Sequence, residues 1–302
     1  MNVLSRTDEI TVLHHLIEGN TIRSTSRLTG VHKKTIAKIM VRFGAKCREF
    51  LDRELRDLTM DHIEVDEIWT FVGKKQARLT VEQKETANHI GDMYLWTCLD
   101  QKTKLLVTYA IGKRSADNAR RLMMDLASRL RFPSVGSSDA RNFQPGGFIA
   151  ITQISTDGFA GYPEAVDLAF GAHAMYGQII KNYRNANIVY QPSEMIGTER
   201  RGIFAIDESE EWSICTSHVE RHNLTIRTLM KRFTRLSLGF SKKLENLAAC
   251  TAIFMAYYNF CWRTRYPDWS GKRGRYRPTA AMMAGITNDV WTFDRLYEEA
   301  MR

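Results

Sequence analysis

Five cysteines, Cys47, Cys98, Cys215, Cys250 and Cys261, are scattered through 302 residues, odd in number and with no Cys-x-x-Cys pair among them. That spacing speaks against a disulfide framework or a cysteine-built zinc finger and suits a reducing cytosol. Long apolar runs are missing as well. The most hydrophobic stretch, Leu247 to Trp262, falls short of the ~20 residues that span a bilayer. Asp8 and Glu9 stand where a secretory signal would be apolar. No internal repeat or low-complexity block interrupts the chain. These absences predict a soluble cytoplasmic protein with no membrane partner.

What is present in excess is positive charge. Lys and Arg number 43 against 34 Asp and Glu, a net charge of +9 and a pI near 9.3, and this balance favours a polyanionic partner, nucleic acid before membrane. With 44% hydrophobic and 25% charged residues, the chain is long enough for one main domain with appendages.

Helical spacing of Ile10, Leu13, Leu16 and Ile17 predicts a helix over 8–18 that Gly19-Asn20 ends. A short helix over 22–28 follows. Thr29-Gly30-Val31 then turns into a third, basic helix from His32 to Met40. This is a helix-turn-helix pattern: Val31, Ile36 and Ile39 face inward, leaving His32, Lys33, Lys34 and Lys38 to meet a major groove or phosphates. A charged helix over 43–58 reads as a connector.

Residues 63–72, rich in β-branched and aromatic side chains, predict a strand carrying Asp66 and Glu67. Neighbours on a strand point to opposite faces, so only one of the two acids is expected in a site, and Asp66 is the choice. Residues 73–85 read as a hairpin excursion or loop. Strands over 93–99 and 104–111, joined by a tight turn, continue the sheet antiparallel. A helix over 116–130, ended by Pro133, and a loop over 134–147 precede a strand over 148–154. That strand delivers Asp157 and Gly158, an acid and a glycine where open α/β sheets place their chemistry. A helix over 162–170 and a strand over 174–180 follow, and residues 183–212 read as an extra hairpin or lid.

The stretch Thr216 to Arg227 predicts a helix capped by Thr216 or Ser217, with Val219, Ile226 and Phe233 at heptad spacing as its apolar face. Glu220, Asn223 and Arg227 share another stripe. One acid, one amide and one guanidinium there suit a metal-held phosphodiester. Lys231 and Arg235 extend the basic surface, and an apolar helix over 241–262 is expected in the core. The remainder, with Arg263, Arg265, Lys272, Arg273, Arg275 and Arg277 among Tyr266, Trp269 and Tyr276, suits backbone clamping and base stacking.

Three strands, a helix, a strand, a helix, a strand and a helix, with acids on the first strand, the fourth strand and a late helix, predict an α/β fold with a mixed, ribonuclease H-like sheet behind an all-α helix-turn-helix domain. The motifs Val65-Asp66-Glu67-Ile68-Trp69, Ser155-Thr156-Asp157-Gly158-Phe159 and Val219-Glu220-Arg221-His222-Asn223-Leu224 resemble the three acidic motifs of DDE transposases of the IS-one insertion-sequence family. Residues 71–75, 232–236, 239–244 and 278–282 share the likeness, which covers most of residues 1–285. The expected division is a helix-turn-helix domain over 1–46, a linker helix over 47–60, a catalytic domain over 61–262 and a basic tail over 263–302. Some family members begin with a zinc-finger module, and this chain lacks the cysteine pairs to build one.

The resemblance implies catalysis by Asp66, Asp157 and Glu220 holding two Mg²⁺ or Mn²⁺ ions, with cleavage and joining of double-stranded DNA at one centre. It implies transposon ends and target DNA as partners, assembly as a homo-oligomer on DNA, a nucleoid-associated location, and Asn223 and Arg227 against the flanking phosphate. A zinc peptidase using His218 and His222 is the weaker reading, because at ~100° per residue Glu220 lies on the far side of the helix from that pair. Two further rivals are a helix-turn-helix regulator without catalysis and a domesticated or inactive nuclease of the same fold.

Overall fold

The computed structural model describes residues 4–131, 152–183, 195–263 and 278–302. By its contacts the chain divides into two units, residues 1–55, 68–95 and 222–302 in the first and residues 56–67 and 96–221 in the second.

The first unit opens with helices α1 (Arg6–Ile17), α2 (Ile22–Thr29) and α3 (Lys33–Glu54). Side chains of Ser5, Thr21 and His32 cap their N-termini, and Gly30 adopts the left-handed conformation that ends α2 (φ 71°). The segments read as a basic helix over 32–40 and a separate connector over 43–58 are one 22-residue helix. Gly44, in its middle, is no break. A Cβ there would lie 2.5 Å from the Cα of Ala249, so glycine lets α3 close onto a later helix. The expected boundaries at residues 46 and 47 therefore fall inside a continuous helix.

Strand β1 (His62–Val72) crosses from the second unit into the first. After it, the expected loop contains helix α4 (Val81–Thr86), held by a reciprocal capping box of Thr80 and Gln83. The remaining strands are β2 (Gly91–Asp100) and β3 (Leu106–Gly112), then, past helix α5 (Ala116–Arg129), β4 (Thr152–Asp157). Helix α6 (Tyr162–Phe170) leads to β5 (Ala174–Tyr183) and β6 (Met195–Phe204). Together they form a six-stranded mixed sheet in the order β3-β2-β1-β4-β5-β6. Gln101 N–H donates to the His62 carbonyl at 2.8 Å and Thr97 Oγ1 to that of Asp66 at 3.4 Å, which sets β2 antiparallel to β1. Strand β4 lies parallel to both β1 and β5, and β6 runs antiparallel to β5. The stretch read as a hairpin or lid thus supplies an added strand, while residues 184–194 lie outside the described residues. Pro133, the loop over 134–147 and the strand start at Phe148 lie outside them too.

Helix α7 (Ser217–Leu229) spans the unit boundary and leads to α8 (Leu244–Phe260), α9 (Ala280–Met283) and α10 (Phe293–Met301). In α7 and the turn after it, Val219, Ile226 and Phe233 are buried as their heptad spacing predicts. The end of the chain is not a basic tail: Trp291, Phe293 and Leu296 are buried, and the Tyr297 ring stacks on Phe43 of α3 at 5.1 Å. Tyr297 also donates to Glu9 Oε2 at 2.7 Å, an oxygen that Arg42 shares. These apolar anchors were hidden behind the charge of residues 264–277. Those residues, including Arg265, Tyr266, Trp269, Lys272, Arg273, Arg275, Tyr276 and Arg277, lie outside the described ones.

Candidate functional site

Strands β1 and β4 lie side by side and parallel, with Val65 opposite Thr156. The next residue on each is an acid, Asp66 within β1 and Asp157 at the carboxyl end of β4, the end at which open sheets hold ligands. Oxygens of Asp66, Glu67 and Asp157 all lie within 4.8 Å of one another. Glu67 therefore enters the group, against the expectation that strand alternation would keep it out. The pairing of β1 with β4 ends at Val65, and the glutamate arm is one methylene longer than that of an aspartate.

Each carboxylate is held differently. Asp66 Oδ1 accepts the Glu67 N–H at 2.8 Å, and Asp157 Oδ1 accepts the Phe159 N–H at 3.0 Å. Arg114, just ahead of α5, donates through Nη2 to Asp157 Oδ2 at 2.9 Å and faces Glu67 Oε1 across 3.7 Å. Its guanidinium lies 4.6 Å from the Phe159 ring centre. Glu67 Oε1 is buried and accepts no hydrogen bond. Behind the group, Trp96, Phe159 and Tyr162 meet edge to face at 5.6–5.8 Å. Burial, then the charge of Asp157, pushes the Asp66 carboxyl up to about 7, with Glu220 adding to the shift. The Glu67 carboxyl is raised by the same two causes, against the pull of Arg114.

Glu220 stands outside this tight group. Its carboxylate is exposed, pairs with Lys181 Nζ of β5 at 2.5 Å and accepts the Thr216 hydroxyl at 2.8 Å. Thr216 is therefore not the side-chain cap of α7. That part falls to Glu64 of β1, which is wholly buried. Its Oε2 accepts the N–H groups of His218 and Val219 at 2.8 and 2.9 Å, and its Oε1 meets His218 Nδ1 at 2.6 Å. A carboxylate under the first turn satisfies two orphan donors and favours the helix dipole. Glu64, Cys215 and His218 form a second group able to offer metal ligands, although both oxygens of Glu64 already accept hydrogen bonds.

The other expected site residues are dispersed. Asn223 is buried and Arg227 half-buried, so neither presents the open DNA-facing stripe read from the helix wheel. His222 is buried against the rings of Tyr258 and Phe254, and burial lowers its pKa to about 3. With His218 turned to Glu64 and His222 among aromatic rings, the two histidines do not converge on one ion. Lys231 and Arg235 are exposed. On α3, Lys33, Lys34 and Lys38 are exposed, and Ile36, Ile39 and Met40 are buried. His32 is exposed too, but its Nδ1 accepts the Lys34 N–H at 3.3 Å, which leaves only the other ring nitrogen to face outward.

Sequence reasoning missed Glu64, Glu67, Arg114 and Lys181. Only Glu67 carried a signal, as the acid beside a chosen acid. The donor set around Asp66 fits a hard divalent cation: it is all oxygen, one buried oxygen lacks a donor, and crowding of like charge is what a cation would relieve. Neither a protein-family model nor a curated protein matches the chain.

Proposed function

We propose that the chain is a metal-dependent polynucleotidyl transferase, a DDE transposase of the kind its three acidic motifs resemble. One observation carries the reading: Asp66 and Asp157 end side by side on adjacent parallel strands, with the Glu67 carboxylate drawn to them. The strand order β3-β2-β1-β4-β5, with the third acid on α7, supports a ribonuclease H-like catalytic domain. Three capped N-terminal helices with an exposed basic start to the third support a helix-turn-helix module that binds DNA ends.

In this reading Asp66, Asp157 and Glu220 would hold Mg²⁺ or Mn²⁺, and Glu67 would add a fourth carboxylate. When bound, two such ions activate the attacking oxygen and stabilise the leaving one. The protein's own groups set the conditions. Asp66, with its pKa near 7, must shed a proton to become a ligand. Arg114 and Lys181, which pair with Asp157 and Glu220, would face DNA phosphates if cations held those carboxylates. Hydrolysis of a phosphodiester leaves a 3′-hydroxyl and a 5′-phosphate. The freed hydroxyl then attacks a target phosphodiester, one P–O bond forming as another breaks. DNA ends and target are the substrates, and a homo-oligomer on DNA is the working form.

The test uses a labelled duplex carrying the terminal repeats that flank the gene, with a plasmid as target and Mg²⁺ present. The parent nicks the duplex at the repeat end and joins it to the plasmid. Asp66→Asn, Asp157→Asn and Glu220→Gln each abolish both products while duplex binding persists. Cleavage retained in the Asp66→Asn or Asp157→Asn protein would falsify the assignment.

A further inference from the structure

Catalysis at the carboxylates leaves unused a cavity of about 340 Å³ within the first unit, lined by Trp69, Phe71 and Phe240. Its volume falls within the roughly 300–1,000 Å³ of small-ligand sites. Strand alternation places Trp69 and Phe71 on one face of β1, with Ile68, Thr70 and Val72 buried on the other. Phe240 stacks on Phe71 with ring centres 4.6 Å apart. The segment carrying Phe240 is pinned along β1: Gly73 N–H donates to the Ser241 carbonyl at 2.9 Å, and Thr70 Oγ1 to that of Arg232 at 2.6 Å. Arg232 Nη1 in turn donates to Ser241 Oγ at 2.8 Å. The segment bearing Phe240 is thus held by one backbone bond and by the Thr70 and Arg232 side chains.

The rim is cationic. Lys74, Lys75, Arg78 and Arg232 border the cavity and, among the described residues, no acid does, and Lys75 Nζ lies 5.8 and 6.0 Å from the ring centres of Trp69 and Phe71. Between the pinned ends the chain presents Leu236 and Leu238, 104% and 95% exposed. Leu236 also holds a left-handed backbone (φ 56°), a costly state for a bulky side chain. Two solvated leucines, one on a strained backbone, contribute nothing to the fold by burial.

We propose that this cleft receives a nucleobase unstacked from DNA, stacked on its aromatic walls, while Leu236 and Leu238 enter the base step and the cationic rim holds the flanking phosphates. Aromatic faces among cations are the general means of gripping single strands, and apolar wedges the means of prising base steps apart. A second copy of this chain is disfavoured as the occupant, because its net charge is +9 and the described residues of the rim include no acid to receive it. The inference rests on the reading of the chain as a DNA-processing protein.

The full-length protein is titrated, at one salt concentration, with labelled dT12, with a 12-mer of abasic sites carrying the same phosphates, and with duplexes that are fully matched or carry one central mismatch. The parent binds dT12 about tenfold or more tighter than the abasic strand, the scale of one stacked base, and prefers the mismatched duplex. Phe240→Leu lowers dT12 affinity about tenfold and leaves the abasic strand unchanged. Leu236→Ser with Leu238→Ser, at two solvent-exposed positions, removes the mismatch preference and leaves matched-duplex affinity as it was. Equal affinity of the parent for dT12 and the abasic strand, with the duplex bound, overturns the base site and spares the DNA reading. Binding to none of the four probes overturns both. A parent that sediments as a dimer and becomes a monomer in the double serine variant, with DNA affinities unchanged, assigns the leucines to self-association and overturns the proposal.

Discussion

Asp66 pays for its place beside two other carboxylates in the metal-free protein. Its carboxyl is raised to about 7 from 3.8, so between roughly pH 4 and 7 the folded state binds a proton that the unfolded state has released. Stability of the metal-free protein therefore falls as pH rises through that window. Asp66→Asn removes the liability: in EDTA at pH 7.5 it raises unfolding stability by about 1–3 kcal/mol over the parent, and near pH 4 the two converge. Urea denaturation at the two pH values checks this, and parallel pH dependence in parent and variant contradicts it. Arg114 gives a second outcome. Because it pairs with the carboxylates that the proposed cation would need, Arg114→Gln should tighten Mn²⁺ binding severalfold by calorimetry without DNA; unchanged or weakened binding means that the guanidinium does not compete. Asp66 and Asp157 were legible in the sequence because one lies within a predicted strand and the other follows the end of a predicted strand, each in an acidic motif. Glu67 was not, because alternation sets it on the face opposite Asp66, and nothing local in the sequence shows its longer arm returning to within 4.8 Å of the other two carboxylates. Arg114 and Lys181 were invisible, since a cation's partner across the sheet leaves no mark on its own sequence.

Helix α7 is oriented by a residue 154 positions away in the chain. Glu64 replaces a local cap with a buried carboxylate on two backbone N–H groups and a histidine ring, so Glu64→Ala should lower stability by roughly 2–4 kcal/mol. Glu64→Gln keeps one acceptor oxygen and should cost less. Equilibrium unfolding of both variants tests this, and a loss in Glu64→Ala below ~0.5 kcal/mol, the scale of an ordinary surface substitution, would return the capping to Thr216 or Ser217. Most helices and strands were legible from periodicity and cap chemistry; α6, for example, begins and ends at the residues its pattern predicts. Two elements were misread for one reason. Residues 32–40 and 43–58 were read as separate helices and residues 263–302 as a tail, because close approach to Ala249 and stacking of Tyr297 on Phe43 join residues far apart in the chain, and local patterns do not carry such pairings.

At the scale of the whole chain, the DNA binding proposed for it should be salt-dependent, given a net charge of +9. Replacing Lys33 and Lys34, both exposed at the start of α3, by alanine should reduce the slope of log affinity against log salt by about one unit for each phosphate no longer neutralised. An unchanged slope removes the basic end of α3 from the DNA interface. The order of strands and helices could be read from the sequence, whereas the side-by-side meeting of Asp66 and Asp157 needed the parallel pairing of β1 with β4. The decisive measurement is nicking of supercoiled plasmid by the purified full-length protein in Mn²⁺, run alongside the Asp66→Asn and Asp157→Asn proteins with folding and duplex binding verified. The carboxylate geometry predicts nicked circles from the parent that EDTA prevents, and none from either variant. Equal nicking by all three proteins, or by the parent in EDTA, would contradict it.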